Sequence, residues 1–268
     1  MSFSTIFDIL PAHFPETEIS DAEYQRMKVN RYNQSHGNLD EIDGYNCDIC
    51  KNKGFIAHLD EYDNEETILC KCRKIRSVLS KAKKSGLGNV LTDCTFDKYV
   101  TNQSWQTEIK NKAVSFCENE AAKWFFIGGQ SGSGKSHLCT AICGYYIKSG
   151  QDVKYMIWVE ESKKLKAIVN TEGYSERIQE YKDVDVLYID DFLKVQQNEA
   201  PTAGDIKLAF EIINHRIIAD KITIISSEKT LDEILDYDEA TMSRVYQKTG
   251  EYKINIRKDR DKNYRLRS

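Results

Sequence analysis

Proline is scarce in this chain, 3 in 268 residues, and there are only 4 methionines and 3 tryptophans. So little proline excludes a stiff polyproline spacer. The 14 glycines show no period, which excludes a fibrous repeat. No stretch approaches the roughly 18 consecutive apolar residues that a membrane-spanning helix needs. Asp8, Pro11 and Glu16 interrupt the start, so no secretory core is expected there. Positive charge is not in excess either: the net charge is −4, which excludes a uniformly basic nucleic-acid coat. What is present, 30 % charged and 40 % hydrophobic residues, suits one or two globular domains, and the cytoplasm is the expected compartment.

Charge is unevenly spread. Residues 1–46 carry eight acidic and three basic side chains, 71–85 seven basic and none acidic, and 251–268 seven basic and three acidic. Such asymmetry points to an acidic partner, nucleic acid first, or to a solvated face.

The eight cysteines fall into two groups. Cys47-x-x-Cys50 and Cys70-x-Cys72 have the spacing at which four thiolates close a tetrahedral Zn²⁺ site, with His58 as an alternative ligand. A short polar segment without a sizeable core needs such a crosslink to fold. Lys51-Asn52-Lys53-Gly54 supplies the tight turn of a zinc knuckle. Four protein ligands make the metal structural. Cys139 and Cys143, four apart on one helix face, read as core, and Tyr145, Tyr146, Tyr155 and Trp158 likewise.

Periodicity predicts a helix near residues 21–29, capped by Ser20 or Asp21, and a basic amphipathic helix over 73–84 from Ile75, Val78, Leu79 and Ala82. Ser85-Gly86-Leu87-Gly88 stops the latter and marks a boundary. This predicts an N-terminal domain over 1–88, its zinc module at about 45–75, and a second domain over 89–268. Strands are expected at 124–127, 153–159, 184–189, 222–225 and 252–256, and helices at 136–148, 162–169, 175–181, 205–219 and 240–247. That alternation predicts an α/β fold with a mostly parallel sheet covered on both faces.

Gly129-Gln130-Ser131-Gly132-Ser133-Gly134-Lys135-Ser136 fits GxxxxGK[ST] between a strand and a helix. Glycines let successive N–H groups converge on phosphates, and the helix start adds positive potential. Lys135 reaches the β- and γ-phosphates of ATP, and the Ser136 hydroxyl ligates Mg²⁺. An apolar strand running into Asp190-Asp191 completes the pattern. Asp190 is expected to hold Mg²⁺ and Asp191 to polarise the attacking water. A small-molecule phosphotransferase would need an Arg-rich lid after the loop, and none follows.

These motifs, with Asn214-His215-Arg216, Ser226-Ser227-Glu228, Asn263-Tyr264-Arg265 and the lead-in Cys94-Thr95-Phe96-Asp97, resemble the AAA+ ATPase of DnaC/DnaI-type helicase loaders, the phage-encoded branch most closely. The resemblance covers roughly residues 45–268. It implies a five-stranded parallel AAA+ sheet with a minimal or missing lid, homo-oligomers with ATP at subunit junctions, and DNA-stimulated hydrolysis. It also implies delivery of a hexameric replicative helicase onto single-stranded DNA, the N-terminal module contacting the helicase. Glu228 stands where the family has a sensor asparagine, so either Glu228 orients water or Ser227 takes the polar role. Arg244 matches the finger that acts on a neighbour's nucleotide, and Arg265 a sensor arginine on the phosphates. A transposition helper of similar fold and a zinc adaptor that binds ATP without hydrolysing it are the alternatives.

Overall fold

Large apolar side chains alternate along the strands of the main sheet, and that alternation decides where the helices go. The computed structural model describes residues 19–84, 87–195 and 199–266. Ser85-Gly86 of the expected boundary and the first 18 residues of the expected N-terminal domain lie outside these. Two compact units are present, one ending at Cys70 and one beginning at Lys71.

In the smaller unit, α1 (Asp21–Gln34) starts from a capping box. Ser20 Oγ accepts from the Glu23 N–H at 3.3 Å, and Glu23 Oε2 accepts from the Ser20 N–H at 3.1 Å. Ser20 is therefore the cap. A short α2 (Leu39–Asp43) follows, then β1 (Phe55–Leu59) and β2 (Glu65–Leu69), paired antiparallel. Asn33 ties α1 to β1 through both backbone groups of Ala57, donating to its carbonyl at 2.9 Å and accepting from its N–H at 3.1 Å.

The larger unit opens with α3 (Cys72–Lys84), α4 (Gly88–Asp93) and α5 (Ser104–Glu118). The basic helix α3 lies in the compact unit that begins at Lys71. Then come β3 (Trp124–Gly129), α6 (Lys135–Lys148), β4 (Val153–Ile157), α7 (Trp158–Ala167), α8 (Gly173–Asp183) and β5 (Val186–Asp190). The unit ends with α9 (Ala203–Ile218), β6 (Ile222–Ser227), α10 (Leu231–Leu235), α11 (Glu239–Thr249) and β7 (Lys253–Ile256).

The five strands run parallel in the order β4-β5-β6-β3-β7. All of β3 is buried. Phe125 and Ile127 face one core with Phe116 of α5 and Leu138 and Ile142 of α6. Trp124 and Phe126 face the other, against Trp158, Tyr181, Ile212 and Val245 of α7, α8, α9 and α11. This is the α/β layer expected from the sequence, a sheet covered on both faces. Because β3 lies between β6 and β7 while β4 is at the edge, the strand order reverses beside β3. Ligands bind outside the C-terminal strand ends at such a point.

Three expectations change. The strand expected over 153–159 ends at Ile157, and α7 starts at once, so Trp158 enters the core from a helix. Tyr145 is 39 % exposed and is not core. The helix α5 was not expected. After β7 the described chain makes two short 3₁₀ turns. Among the described residues no helix is long and apolar enough to cross a membrane.

Arg216 of α9 is wholly buried. Its guanidinium donates to the carbonyls of Tyr181, Lys182 and Val184 at 2.9, 3.0 and 2.9 Å, to the Ile222 carbonyl at 2.5 Å and to Thr223 Oγ1 at 2.9 Å. It locks the entrances of β5 and β6 together, and burial pulls it down to about 9.

Candidate nucleotide site and metal centre

The chain leaves β3 at Gly129 and turns through three left-handed glycines, φ +106° at Gly129, +71° at Gly132 and +87° at Gly134. A Cβ would run into the Ile256 carbonyl at Gly129, the Asn263 amide at Gly132 and the Tyr99 ring at Gly134. The loop is therefore cast against the segment after β7. Gln130 N donates to Ile256 O at 3.0 Å, Tyr264 N to Gly132 O at 2.9 Å, and Asp259 N to Gln130 Oε1 at 2.9 Å. The loop ends on the N-terminus of α6, which concentrates positive potential there.

A cleft of about 490 Å³ opens over the loop, walled among others by Lys135, Ser136, Asp190, Asp191, Glu228 and Arg265. Lys135 is buried, and its Nζ donates to the carbonyls of Gly129 at 2.9 Å and Gln130 at 2.7 Å. Burial pulls its pKa below the ordinary lysine value, while Glu228, Asp191 and Asp190 pull the other way. A phosphate group offers that ammonium better acceptors than two carbonyls do.

Asp190 and Ser136, fifty-four positions apart, are brought together, with the Ser136 hydroxyl donating to Asp190 Oδ1 at 3.2 Å. Tyr155 donates to Asp190 Oδ2 at 2.8 Å, and Ser226 donates to Oδ1. Burial and the neighbouring carboxylate both push the Tyr155 hydroxyl up, so it stays a donor. A hydroxyl and an oriented carboxylate beside a phosphate-type loop form an oxygen donor set that suits Mg²⁺. Asp191 follows in a left-handed conformation, φ +54°. Its Oδ2 accepts from Lys194 Nζ at 2.9 Å, and the same ammonium lies 3.0 Å from Glu228 Oε1.

Of the two sensor candidates, only Glu228 lines the cleft over the loop. The Ser227 hydroxyl donates to the Phe192 carbonyl at 2.9 Å and is committed there. Ser226 is instead the residue on Asp190. Arg265 is on the cleft wall, whereas Arg244 is not. Arg244 is exposed on α11 and donates to Asn214 of α9. Four residues that sequence reasoning missed complete the site: Tyr155, Lys194, Ser226 and Asn263. A period-two count could have found Ser226, because Tyr188 and Asp190 share a face of β5 with Ile224 and Ser226 of β6.

The second site is the cysteine cluster. Cys47, Cys50, Cys70 and Cys72 are all buried, and their sulfurs all lie within 4.8 Å of one another. The Cys47–Cys70 separation is 3.8 Å. Tetrahedral zinc at about 2.3 Å from each thiolate sets its ligands ~3.8 Å apart, so the set fits that ion. The knuckle turn is present, with Lys51 and Asn52 at φ +46° and +64°. Asn52 Oδ1 accepts from Cys47 N at 2.7 Å, and Gly54 N donates to Cys50 Sγ at 3.2 Å, a contact that favours a thiolate. His58 faces Glu66 across the hairpin, 3.6 Å away, and is not in the cluster. Cys139 and Cys143 are completely buried, as expected of core.

Comparison with known proteins gives these geometries a setting. A model of the bacterial DnaA ATPase domain matches residues 91–249. The protein YqaM of Bacillus subtilis (strain 168) is 32 % identical over 209 residues, 74 % of this chain and 66 % of that one. The replicative helicase loader DnaC of Buchnera aphidicola subsp. Acyrthosiphon pisum (strain APS) is 27 % identical over 126 residues, 45 % of this chain and 50 % of that one. The chain thus spans less than two thirds of the length of either relative. The crystal structure of the DnaC helicase loader shares the fold at a TM-score of 0.51 and 20 % identity, over 63 % of this chain and 98 % of that one.

Proposed function

The chain belongs to the family of bacterial DnaA ATPase domains, and from that premise we propose that it is an ATP-dependent loader delivering a hexameric replicative helicase onto single-stranded DNA. The observation that carries this reading is the presence in one chain of both a phosphate cleft and a buried four-cysteine cluster. The similarity to the DnaC helicase loader supports the same reading.

In this proposal the loop N–H groups and Lys135 bind the phosphates of ATP. Ser136 and Asp190 hold Mg²⁺, fixed by the hydroxyls of Tyr155 and Ser226. The ion would offset charge on the β- and γ-oxygens. Asp191 orients and polarises the attacking water, Glu228 acts beside it as the sensor, and Arg265 faces the phosphates of its own subunit. Arg244 serves a neighbour's site, so hydrolysis is shared between subunits of a homo-oligomer and is stimulated by DNA that aligns them. Cys47, Cys50, Cys70 and Cys72 hold a structural zinc ion in the N-terminal module, proposed to extend to residue 88 and to contact the helicase. The work takes place in the cytoplasm.

Two measurements test the proposal. Co-purification with a hexameric helicase is expected from the intact chain. Transfer of that helicase onto single-stranded DNA should require ATP and be lost in Lys135→Ala. Helicase binding without ATP turnover would favour the zinc adaptor, and stimulation of a transposase without helicase binding would favour the transposition helper.

A further inference from the structure

Lys194 stands just beyond the paired acids, where no motif asks for a cation. It follows two buried apolar residues, Phe192 and Leu193, and Leu193 is itself left-handed at φ +52°. The turn is closed by Phe192 N donating to Ser226 O at 2.8 Å and by Lys194 N donating to Asp191 O at 3.0 Å. Anchoring Phe192 and Leu193 in the core therefore aims the following side chain back over the cleft. Its ammonium meets Asp191 Oδ2 at 2.9 Å and Glu228 Oε1 at 3.0 Å. The two carboxylates come from neighbouring strand ends, β5 and β6, and both wall the cleft.

As a stabilising device this arrangement is weak. The lysine side chain is 35 % exposed and Glu228 40 %, and ion pairs so exposed contribute only about 0–1 kcal/mol. As an electrostatic device it matters more. Asp190, Asp191 and Glu228 put three carboxylates on the wall that must accept the phosphates of a nucleotide. Lys135 is withdrawn onto the loop carbonyls, and among the described residues Lys194 is the cation in contact with Asp191 and Glu228. Burial works against its charge, yet the hydrogen bonds to those two acids outweigh burial and hold it above the ordinary lysine value.

We infer that Lys194 is a positioning residue for ATP hydrolysis, which holds Asp191 and Glu228 as one unit with a single net negative charge facing the terminal phosphate. This rests on the ATPase reading above. Without the ammonium the two acids repel each other, and Asp191 loses the contact that fixes its carboxylate. Binding of ATP, which depends on the loop and Lys135, is little affected.

The experiment measures MgATP affinity by titration and kcat by steady-state turnover in the full chain. Lys194→Met should lower kcat at least tenfold with ATP affinity unchanged within threefold. Lys194→Arg, which keeps the charge and can reach both acids, should recover most of the loss. A kcat within twofold of wild type in Lys194→Met overturns the inference. So does a loss of affinity that matches the loss of kcat, which would make Lys194 a phosphate ligand, or a failure of Lys194→Arg to recover kcat. Wild-type protein that binds ATP but never turns it over overturns the ATPase reading and this inference with it. An active wild type with an unaltered Lys194→Met overturns the inference alone.

Discussion

Arg244 of α11 donates to the side chain of Asn214 on α9, on a surface outside its own nucleotide cleft. An exposed guanidinium held by a neutral amide keeps its charge available to a neighbour. Arg244→Ala and Lys135→Ala should each be inactive alone, yet their mixture should regain hydrolysis, since mixed junctions pair an intact cleft with an intact finger. Turnover per subunit should rise with protein concentration. Full activity of Arg244→Ala alone would end the shared-site mechanism.

Asp190 and Asp191 are adjacent in sequence but differently engaged, and their variants should separate. Asp190 is surrounded by the hydroxyls of Ser136, Tyr155 and Ser226, whereas Asp191 meets Lys194. Asp190→Asn should weaken Mg²⁺-dependent ATP binding about tenfold, ~1.4 kcal/mol. Asp191→Asn should bind ATP normally and lose turnover. Nucleotide titration beside phosphate release reads both, and normal turnover by Asp191→Asn would shift the water-activating role to Glu228.

Metal analysis should return about one zinc per chain. Cys50→Ser should lose it, together with the ordered smaller unit and helicase binding, while ATP binding persists. Metal-free wild-type protein that still binds helicase would refute the zinc assignment.

Arg216→Met should destabilise the larger unit by at least about 3 kcal/mol, because it strands several buried carbonyls without a donor. Urea denaturation followed through the tryptophans measures this. A loss below ~1 kcal/mol would mean that the strand entrances do not depend on the clamp.

Glu161 supplies a pH signature. Burial opposes its charge, but hydrogen bonds from Lys164, Tyr181 and Arg177 prevail and hold it down at about 2, against an ordinary 4.5. The folded value is the lower one, so the network stabilises the protein above pH 4.5 and is lost as pH falls toward 2. Glu161→Gln should cost at most about 3 kcal/mol at pH 7 and almost nothing near pH 2. Equal losses at both pH values would show that packing, not charge, explains the effect.

The sheet was legible because its strands are short apolar runs with few competing readings, and the phosphate loop because its spacing is fixed by backbone geometry. The helix α5 was hidden. Its start is capped by Gln103 rather than Ser, Thr, Asp or Asn, and its buried residues Ile109, Ala113 and Phe116 are diluted by polar ones. Tyr155 read as core because nothing local says that an edge strand delivers its hydroxyl to Asp190. Lys194 was out of reach for a different reason: two left-handed, non-glycine residues set its direction, and propensity disfavours that conformation. The four-cysteine cluster was legible from spacing alone, since thiols so placed have few other uses in a small polar module.

The contacts of Gln130 and Gly132 with Ile256, Asp259 and Tyr264 have a bearing on biosynthesis. The loop lies near the middle of the chain, but its mould arrives more than a hundred residues later. A chain emerging from the ribosome can form β3 and α6 early, yet the phosphate nest stays unshaped until β7 and the turn after it are free to dock. Contacts of such long sequence separation form late.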